Sequence, residues 1–434
     1  MNNKFYLKTY GCQMNMYEAG LVNSIMMDAG YIPVDNENDA DIIFLITCAV
    51  REHAEKRALG RYHFLRRLKK NNPHLILGIL GCMAQSQQEQ LIRSHSVDIV
   101  AGPDEYRKLP LLIRNYQNTH TAQFATSFSD ENYEGILSYP QNHVNGFISI
   151  MRGCNNFCSY CIVPYVRGRE RSKSLKQILK EVEFLIQQGI QDITLIGQNV
   201  LAWHDQDLDF LSLLKIVNEI EGYQRLRFIT SHPKDLTERY IQGFTEIDKL
   251  CLQLHLPFQS GSDRILKLMN RGYTKQSYLN TIAMLRKVIP QISLTTDVLV
   301  GFPTETDTDF QDTLDVIKQV EFDFAYMFRY SERPYTKARE IFPKVDDKIS
   351  KERLLQLIEL QNKITEKKSR EFLNKKVEIL IESNNHNQSF GRTRNNKIVI
   401  IKQTLNLGKI YYCQIKDVVG WTPIGEIINN KEAE

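Results

Sequence analysis

Apolar and polar positions in the first 118 residues alternate in the order expected of a parallel α/β domain. The predicted strands are short apolar runs, and longer stretches with helical periodicity lie between them. We predict strands at residues 5–10, 42–46, 75–80 and 97–101, and helices at residues 15–30 and 52–70. This pattern indicates a doubly wound parallel sheet for residues 1–118.

A second alternation of strands and helices follows a break in the pattern. Residues 119–145 show little periodic pattern and carry Asn, Ser, Pro and Gly, and we predict that they form a linker. Residues 146–348 then contain six predicted β/α units, with strands at residues 146–151, 192–197, 225–230, 251–256, 292–300 and 324–330. Because a complete barrel of this type has eight strands, we predict a partial (β/α)6 barrel with functional residues at the strand carboxyl ends.

The last part of the chain changes character twice. Residues 349–374 predict a long connecting helix, because Leu354, Leu357 and Ile358 recur at helical spacing. Residues 375–434 then contain short apolar runs that are separated by turns with Asn and Gly. We predict that this last region is a small all-β barrel of about five strands.

Composition limits the possible environments and partners of the chain. The 434 residues carry 55 Lys and Arg against 51 Asp and Glu, so any surface that binds nucleic acid must be local. The N-terminal residues have no apolar core typical of a signal peptide, and no apolar stretch approaches the length of a membrane span. We therefore expect a cytoplasmic protein without a membrane partner. In that reducing environment, clustered cysteines indicate metal binding or catalysis rather than disulfides.

Three cysteines lie close together after the first predicted barrel strand. Cys154, Cys158 and Cys161 are spaced C-x3-C-x2-C, and soft thiolates in one short loop suit an iron–sulfur cluster. A cubane cluster has four irons, so three protein ligands leave one iron open for chemistry. The alternative is a zinc knuckle, which normally needs a fourth Cys or His nearby, and no His lies in this loop.

Three further cysteines, Cys12, Cys48 and Cys82, each come just after the carboxyl end of a predicted strand. These ends share one edge of a parallel sheet, which is where open α/β sheets bind ligands. A single cysteine there would be interpreted as a small buried hydrophobic residue, but three at equivalent positions predict a second three-cysteine cluster. Cys251 and Cys413 lie inside predicted strands, and we interpret both as buried hydrophobic residues.

The segment from Met151 to Cys161, with Tyr160 before its last cysteine, resembles the signature of radical S-adenosylmethionine (SAM) enzymes. In that family the open iron chelates the amine and carboxylate of SAM, and an electron from the cluster cleaves the sulfonium to give a 5′-deoxyadenosyl radical. The resemblance implies that Cys154, Cys158 and Cys161 are catalytic and that Tyr160 contacts the cofactor. The radical chemistry belongs to the cofactor, which the protein positions and shields.

The three regions, in this order, resemble the methylthiotransferase family over nearly the whole chain. That family combines an N-terminal Cys-triad domain, a radical SAM barrel and a C-terminal TRAM domain, which is an OB-like RNA-binding module. The resemblance implies two 4Fe–4S clusters and SAM as cofactors. It also implies that the cluster at Cys12, Cys48 and Cys82 carries the sulfur, which one SAM methylates while a second SAM gives the radical that activates the target carbon.

Residues 11–15, Gly-Cys-Gln-Met-Asn, are similar to those of the subtype that modifies N6-isopentenyladenosine next to the anticodon of tRNA. We therefore expect the partners to be the tRNA anticodon stem-loop, an electron donor such as flavodoxin or ferredoxin and a sulfur source, and we expect a monomer. Two alternatives stay open. The first is a sister enzyme that modifies threonylcarbamoyladenosine or a ribosomal-protein aspartate, which differs in its product. The second is a non-catalytic iron–sulfur RNA-binding protein, which would not cleave SAM.

Five further barrel residues are candidates for SAM binding: Gln198, Asn199, Gln259, Ser260 and Asp297. Gln198 and Asn199 end the second strand, where radical SAM enzymes often place Gly-Gly-Glu, and helix capping is the alternative for them. Gln259 and Ser260 follow the fourth strand, and a turn is the alternative there. Asp297 lies inside an apolar strand, where a carboxylate is costly without a partner, so a polar ligand or an arginine is favoured.

Basic residues suggest where RNA phosphates bind, and a solvated charged face is the alternative at each place. Near the cluster loop the candidates are Arg152, Arg167, Arg169 and Arg171. In the C-terminal domain they are Arg392, Arg394, Lys397, Lys402 and Lys409. One local departure from the methylthiotransferase pattern affects a turn, because Tyr335 stands where that family usually has Gly.

Overall fold

The computed structural model describes residues 3–50 and 52–428. Its first domain is a parallel sheet with helices on both faces. The elements are β1 (Lys4–Thr9), α1 (Gln13–Asp28), β2 (Ile32–Pro33), β3 (Ile42–Thr47), α2 (Glu52–Leu65), β4 (Ile76–Gly81), α3 (Cys82–Gln87), α4 (Glu89–His95), β5 (Ile99–Ala101), α5 (Leu109–Thr119) and β6 (Gln123–Ala125). The strand order is β2-β1-β3-β4-β5-β6 with every pair parallel. The predicted doubly wound sheet is confirmed, and its order reverses between β1 and β3.

The second domain is an open barrel. Its elements are β7 (Asn145–Ser149), β8 (Met151–Arg152), α6 (Val163–Arg167), β9 (Arg171–Ser172), α7 (Leu175–Gln187), β10 (Asp192–Ile196), β11 (His204–Asp205), β12 (Leu208–Asp209), α8 (Phe210–Asn218), β13 (Arg225–Phe228), α9 (Glu238–Gly243), β14 (Gln253–His255), α10 (Asp263–Leu268), α11 (Lys275–Val288), β15 (Ser293–Val300), α12 (Asp307–Val320) and β16 (Phe324–Arg329).

Parallel pairing of six strands builds this barrel wall, as the sequence predicted. Three strands pair in the order β13-β10-β7 and three in the order β14-β15-β16. A parallel bridge between Leu226 and Leu250 joins the two groups. One continuous apolar core fills the space between this wall and its helices, and it includes Ile193 and Leu254 from the strands and Leu285 from α11.

The third domain is a closed five-stranded barrel. It follows α13 (Asp347–Arg370) and consists of β17 (Lys376–Asn385), β18 (Gln388–Arg392), β19 (Ile398–Ile401), β20 (Ile410–Val419) and β21 (Thr422–Ile427). Cys413 lies in its apolar core with Ile379 and Ile415, and Cys251 is buried in the larger barrel. Both cysteines are the buried small residues that we predicted.

The segment at residues 119–145 differs from the predicted linker. It contains β6, which extends the N-terminal sheet by pairing with β5, and a strand of three residues is too short to leave a clear pattern in the sequence. Part of the remaining segment packs against the first domain. Tyr133 is fully buried, its hydroxyl donates to the carbonyl of Pro103 at 2.7 Å, and its ring stacks on Tyr106.

The small barrel is fixed to the amino ends of the large-barrel strands. Arg225 and Arg227, both on β13, reach Glu378 at 2.7 Å and the carbonyl of Thr393 at 3.2 Å respectively. Arg394 of the small barrel also contacts the large barrel, because its guanidinium donates to the carbonyl of Leu250 at 2.9 Å. The two barrels therefore form one packed unit.

These contacts change the interpretation of the C-terminal basic residues. Arg392 is paired with Glu382 at 2.6 Å, and Lys397 lies 3.7 Å from Asp323. With Arg394 also engaged, these three residues have structural partners within the protein, and phosphate contacts by them stay a prediction. Lys402 and Lys409 are exposed, and they stay candidates. No helix among the described residues has the length and apolar character that crossing a membrane requires.

Candidate active site

Cys12, Cys48 and Cys82 come together at the carboxyl edge of the N-terminal sheet. Cys12 caps the start of α1, and Cys82 begins α3 directly after β4. Gly11 lies so close to Cys48 that a side-chain Cβ at Gly11 would stand 2.8 Å from the Cβ of Cys48. Burial raises the pKa of Cys82 to about 12, and the charge of Arg167 partly offsets this effect. Electrostatic interaction with the nearby Cys48 and Cys12 raises the same pKa further. Cys12 is the exposed member of this set, which we call the sheet triad.

A buried ion network holds the sheet triad against the large barrel. Arg167, the last residue of α6, donates from Nε to Cys82 Sγ at 3.1 Å, and from Nη1 to Glu18 at 2.7 Å. Arg152 also donates to Glu18, at 3.2 Å. Although burial by itself would raise it, the pKa of Glu18 is held below its ordinary value by the two arginines. A carboxylate and guanidinium groups from different domains are therefore buried as a charged cluster.

Cys154, Cys158 and Cys161 form the second set, which we call the loop triad. The backbone of the loop is fixed by bonds from Cys154 N to the carbonyl of Gly168 at 3.2 Å and from Cys161 N to that of Cys158 at 2.9 Å. Gly153 permits this close approach, because its φ is 77° and a Cβ there would stand 1.9 Å from a backbone oxygen. Burial raises the pKa of the Cys161 thiol to about 12.

The loop triad also has an arginine partner. Arg271 is buried, and it donates from Nη1 to Cys158 Sγ at 3.3 Å and from Nη2 to the carbonyl of Pro257 at 2.8 Å. Each triad therefore presents one cysteine sulfur to a buried guanidinium. Hydrogen bonds of this kind stabilise negative charge on thiolates, which is the form that binds metal.

The two triads are packed against each other through apolar residues. Cys82 and Ala49 form one apolar cluster with Ile162 and Val166, which follow Cys161 in the chain. The residue after Cys48 and the segment after Cys161 therefore pack together in one apolar cluster. The carboxyl edge of the N-terminal sheet therefore lies next to the loop that follows the first barrel strands.

Iron–sulfur clusters fit these donor sets. All eight cysteines are free thiols, and each triad supplies the soft sulfur ligands that iron–sulfur clusters use. Among the described residues, no three Cys, His, Asp or Glu side chains converge closely enough to hold one metal ion. Each thiolate of a cubane binds a different iron, so a cubane does not require the three sulfurs to meet at one metal ion. The assignment of the six cysteines as cluster ligands stays a prediction.

The structure gives Gln198 and Asn199 supporting roles at the end of β10. Gln198 Oε1 accepts a hydrogen bond from Gly153 N at 2.6 Å, and this bond fixes the backbone directly before Cys154. Asn199 is buried, donates to Asp235 at 2.7 Å and accepts from the backbone of His232 at 3.2 Å. Asn199 therefore ties the ends of β10 and β13 together, and its side chain does not cap a helix.

Tyr160, Ser260 and Asp297 each have a polar side-chain partner in the structure. The Tyr160 hydroxyl accepts from Arg271 at 3.5 Å. Asp297 lies 3.5 Å from His255, so its partner is an imidazole rather than an arginine. The Ser260 hydroxyl lies 3.5 Å from that of Thr313 on α12.

Gln259 forms a parallel bridge with Val298 on β15. Its backbone accepts from Leu299 and donates to the carbonyl of Asp297, each at 2.9 Å, and its φ is 65°. The backbone of Gln259 therefore continues the pairing between the fourth and fifth barrel strands, and the turn interpretation is wrong for this residue. SAM contacts by the six candidates stay predictions, namely Tyr160, Gln198, Asn199, Gln259, Ser260 and Asp297.

Sequence reasoning missed three residues that organise the site. Glu18 had a usable signal, because it lies on α1 among residues of apolar helical spacing such as Tyr17 and Leu21. Arg271 follows α10 in a polar segment and had no such signal. His232, at the end of β13, is buried, and burial lowers its pKa to about 2, so the ring is neutral.

The arginines near the loop triad do not form the predicted phosphate-binding group. Arg152 and Arg167 are buried in the network around Glu18, and Arg171 is paired with Asp104 at 2.9 Å. The prediction is wrong for these three, because a charged residue that joins two domains has the same sequence pattern as one that faces solvent. Arg169 alone is exposed.

Comparisons with known proteins agree with this architecture. Residues 4–102 match the Uncharacterized protein family UPF0004, residues 148–317 the Radical SAM superfamily and residues 370–428 the TRAM domain. The tRNA-2-methylthio-N(6)-dimethylallyladenosine synthase of Porphyromonas gingivalis is 41% identical over 99% of this chain and 96% of its own length. The protein of that name in Thermoanaerobacter sp. is 42% identical over 98% of this chain and 93% of its own length.

Solved structures show the same fold at low sequence identity. The radical SAM methyltransferase TsrM from Kitasatospora setae, solved with tryptophan and a SAM analogue bound, matches with a TM-score of 0.58 at 14% identity, over 77% of this chain and 75% of its own. The cobalamin-dependent SAM radical enzyme OxsB matches with a TM-score of 0.50 at 14% identity, over 83% of this chain and 56% of its own. These likenesses support the barrel and its preceding α/β domain.

Proposed function

The chain belongs to the radical SAM tRNA methylthiotransferase family, and from that membership we propose that it adds a methylthio group to C2 of N6-isopentenyladenosine next to the anticodon of tRNA. The observation that carries the proposal is the packing of two cysteine triads against each other in one chain. A radical enzyme with a single cluster has no use for a second triad. Attachment of sulfur at an aromatic C–H position needs both a sulfur carrier and a radical generator.

The family uses SAM and 4Fe–4S clusters, and when bound these supply the radical, the methyl group and the sulfur. Cys154, Cys158 and Cys161 would hold the cluster that cleaves SAM. Cys12, Cys48 and Cys82 would hold the cluster that carries sulfur.

The remaining residues position and shield this chemistry. Arg271 and Arg167 orient one sulfur in each triad through their hydrogen bonds. Gln198 fixes the backbone before the loop triad. Cys82 and Ile162 belong to one apolar cluster, and we propose that this packing limits the access of water between the two triads. Exclusion of water protects a reactive radical from side reactions.

We also propose that the small C-terminal barrel contributes to tRNA binding. The match to the TRAM domain supports this role, and the exposed Lys402 and Lys409 are its candidates for phosphate contacts. An electron donor such as flavodoxin or ferredoxin and a sulfur source complete the proposed reaction. We further propose a monomer that acts in the cytoplasm, where tRNA and low-potential electron donors are present.

Mass spectrometry of nucleosides from a deletion strain tests this proposal. We expect tRNA from the strain to lack 2-methylthio-N6-isopentenyladenosine and to accumulate N6-isopentenyladenosine, and the wild-type gene should restore the product. The Cys48→Ala gene should not restore it. Unchanged amounts of the methylthiolated nucleoside would refute the proposal, and loss of the threonylcarbamoyl counterpart would identify the sister activity instead.

A further inference from the structure

Tyr335 is an exposed aromatic residue in a strained backbone conformation. Its side chain is 60% exposed, and its φ is 67°, a region that a bulky residue enters only at a cost in free energy. Gly would occupy this position without strain. Neither packing nor turn geometry therefore explains why a tyrosine stands here.

Two other aromatic residues continue from Tyr335 toward the loop triad. The Tyr165 ring lies 6.1 Å from that of Tyr335 with an interplanar angle of 32°. The Phe157 ring lies 6.3 Å from that of Tyr165 and packs against it edge to face, with an interplanar angle of 88°. Phe157, which precedes Cys158, also has a positive φ, of 45°. We call Phe157, Tyr165 and Tyr335 the aromatic platform. Two of its three members are held in the left-handed region of the backbone, and one of them, Phe157, directly precedes a cysteine of the loop triad.

A cation lies at one end of the aromatic platform. The guanidinium carbon of Arg169 stands 4.5 Å from the centre of the Phe157 ring, and Arg169 is the exposed arginine of this loop. Lys337, two residues after Tyr335, is exposed as well. Stacking rings with cations beside them are the combination by which proteins bind single-stranded nucleic acid.

The segment that carries Tyr335 is fixed to both triads. Arg333 donates to the carbonyl of Val50, two residues after Cys48, at 3.2 Å and to Glu55 at 2.8 Å. Ala338 N donates to the carbonyl of Ser159, inside the loop triad, at 2.8 Å. The aromatic platform is therefore held rigidly at the place where the sheet triad and the loop triad meet.

We propose that Tyr335, with the nearly parallel Tyr165 behind it, stacks an unpaired base of the anticodon loop that neighbours the base to be modified. Phe157 supports Tyr165 edge to face, and Arg169 over the Phe157 ring faces the RNA backbone. This inference rests on the proposed function, because it takes tRNA as the substrate. The target base itself must reach the triads. A neighbouring base that is stacked at the mouth holds the strand in register while the target is turned inward.

The Tyr335→Gly variant tests the platform without threatening the fold, because Gly suits the observed φ. With anaerobically reconstituted protein and a fluorescently labelled anticodon stem-loop, we expect binding to weaken by about 5- to 150-fold, which corresponds to the loss of one stacked base. Tyr335→Phe should bind as wild type does. The control Phe124→Ala, at a 48% exposed aromatic on the edge strand β6, should also leave affinity unchanged.

Two readouts separate this proposal from the proposed function. A 2-aminopurine next to the target position should be quenched by the wild-type protein and not by Tyr335→Gly, whichever nucleoside is the product. The RNA-independent yield of 5′-deoxyadenosine should be equal in both proteins. Wild-type RNA affinity in Tyr335→Gly would overturn the platform, whereas absence of methylthiolation by a wild-type protein that quenches the probe would overturn only the proposed function.

Discussion

The loop triad and the sheet triad assemble similar sets of thiols in opposite ways. Cys154, Cys158 and Cys161 lie in one short loop, and their relative positions depend on local backbone bonds. Cys12, Cys48 and Cys82 follow three different strands, so their proximity depends on the order of the whole sheet.

This difference has a consequence for the energetics of each triad. The sheet triad is completed across a domain boundary, because Arg167 of the large barrel bonds Cys82 and Glu18 of the first domain. The loop triad takes its arginine, Arg271, from its own domain. A substitution that disrupts the interface between the first domain and the large barrel should therefore affect the sheet triad more than the loop triad.

The largest expected effect comes from removal of a loop-triad thiol. Cys158→Ala should reduce 5′-deoxyadenosine formation below detection, because a cluster with two protein ligands cannot present SAM in the productive geometry. Chromatographic measurement of 5′-deoxyadenosine from the reconstituted, reduced protein checks this. Cys251→Ala is the matched control, since Cys251 is buried in the same barrel but outside both triads, and it should retain the activity. Equal loss in both variants would remove the special role of the loop triad.

Removal of a sheet-triad thiol should separate the two activities. Cys48→Ala should stop methylthiolation of tRNA while SAM cleavage persists, because only the sulfur carrier is damaged. Parallel assays of modified nucleoside and 5′-deoxyadenosine on one preparation measure both. Full methylthiolation by this variant would show that the sheet triad does not carry sulfur.

The interface should show its importance through stability. Glu18→Gln leaves Arg152 and Arg167 buried with less compensation, and loss of one partner of a buried ion pair costs about 3–5 kcal/mol. We expect a lower urea midpoint for unfolding of the first domain and weaker retention of the sheet-triad cluster. The Glu18→Gln/Arg167→Gln double variant should recover part of the loss, because both charges are then removed. A midpoint equal to that of wild type in Glu18→Gln would contradict this account.

The smallest expected effect is a shift in redox potential that differs between the triads. A hydrogen bond to a cluster sulfur stabilises the reduced, more negative state, so its removal lowers the reduction potential. Arg167→Gln should lower the potential of the sheet-triad cluster and Arg271→Gln that of the loop-triad cluster. A tenfold change in the ratio of reduced to oxidised cluster corresponds to about 59 mV.

Redox titration followed by electron paramagnetic resonance measures both potentials in each variant. A shift of both clusters by either substitution would show that the effect is not local.

Much of the architecture follows from sequence patterns because its signals are local. The apolar run of β3 and the C-x3-C-x2-C loop are each visible in a short window, and the sheet triad required only one further step, the rule that parallel strands end at a common edge. The sequence alone therefore predicts that these six cysteines form two sets of three.

Long-range partners were not predictable in the same way. The pairing of Arg167 with Glu18 joins residues that are 149 positions apart, and nothing local distinguishes such an arginine from one that faces a phosphate. The same reason explains Arg394, which reaches Asp248 and Leu250 of the large barrel. β6 was missed for another reason, because a strand of three residues carries too little pattern.

The iron content of three proteins tests the two-triad account most directly. Anaerobically reconstituted wild-type protein should contain about eight irons per chain, reckoned as two cubanes. A variant with alanine at Cys12, Cys48 and Cys82 should keep about four, and so should a variant with alanine at Cys154, Cys158 and Cys161. A wild-type content that stays at about four, or a triple variant that keeps the full wild-type content, would contradict the account.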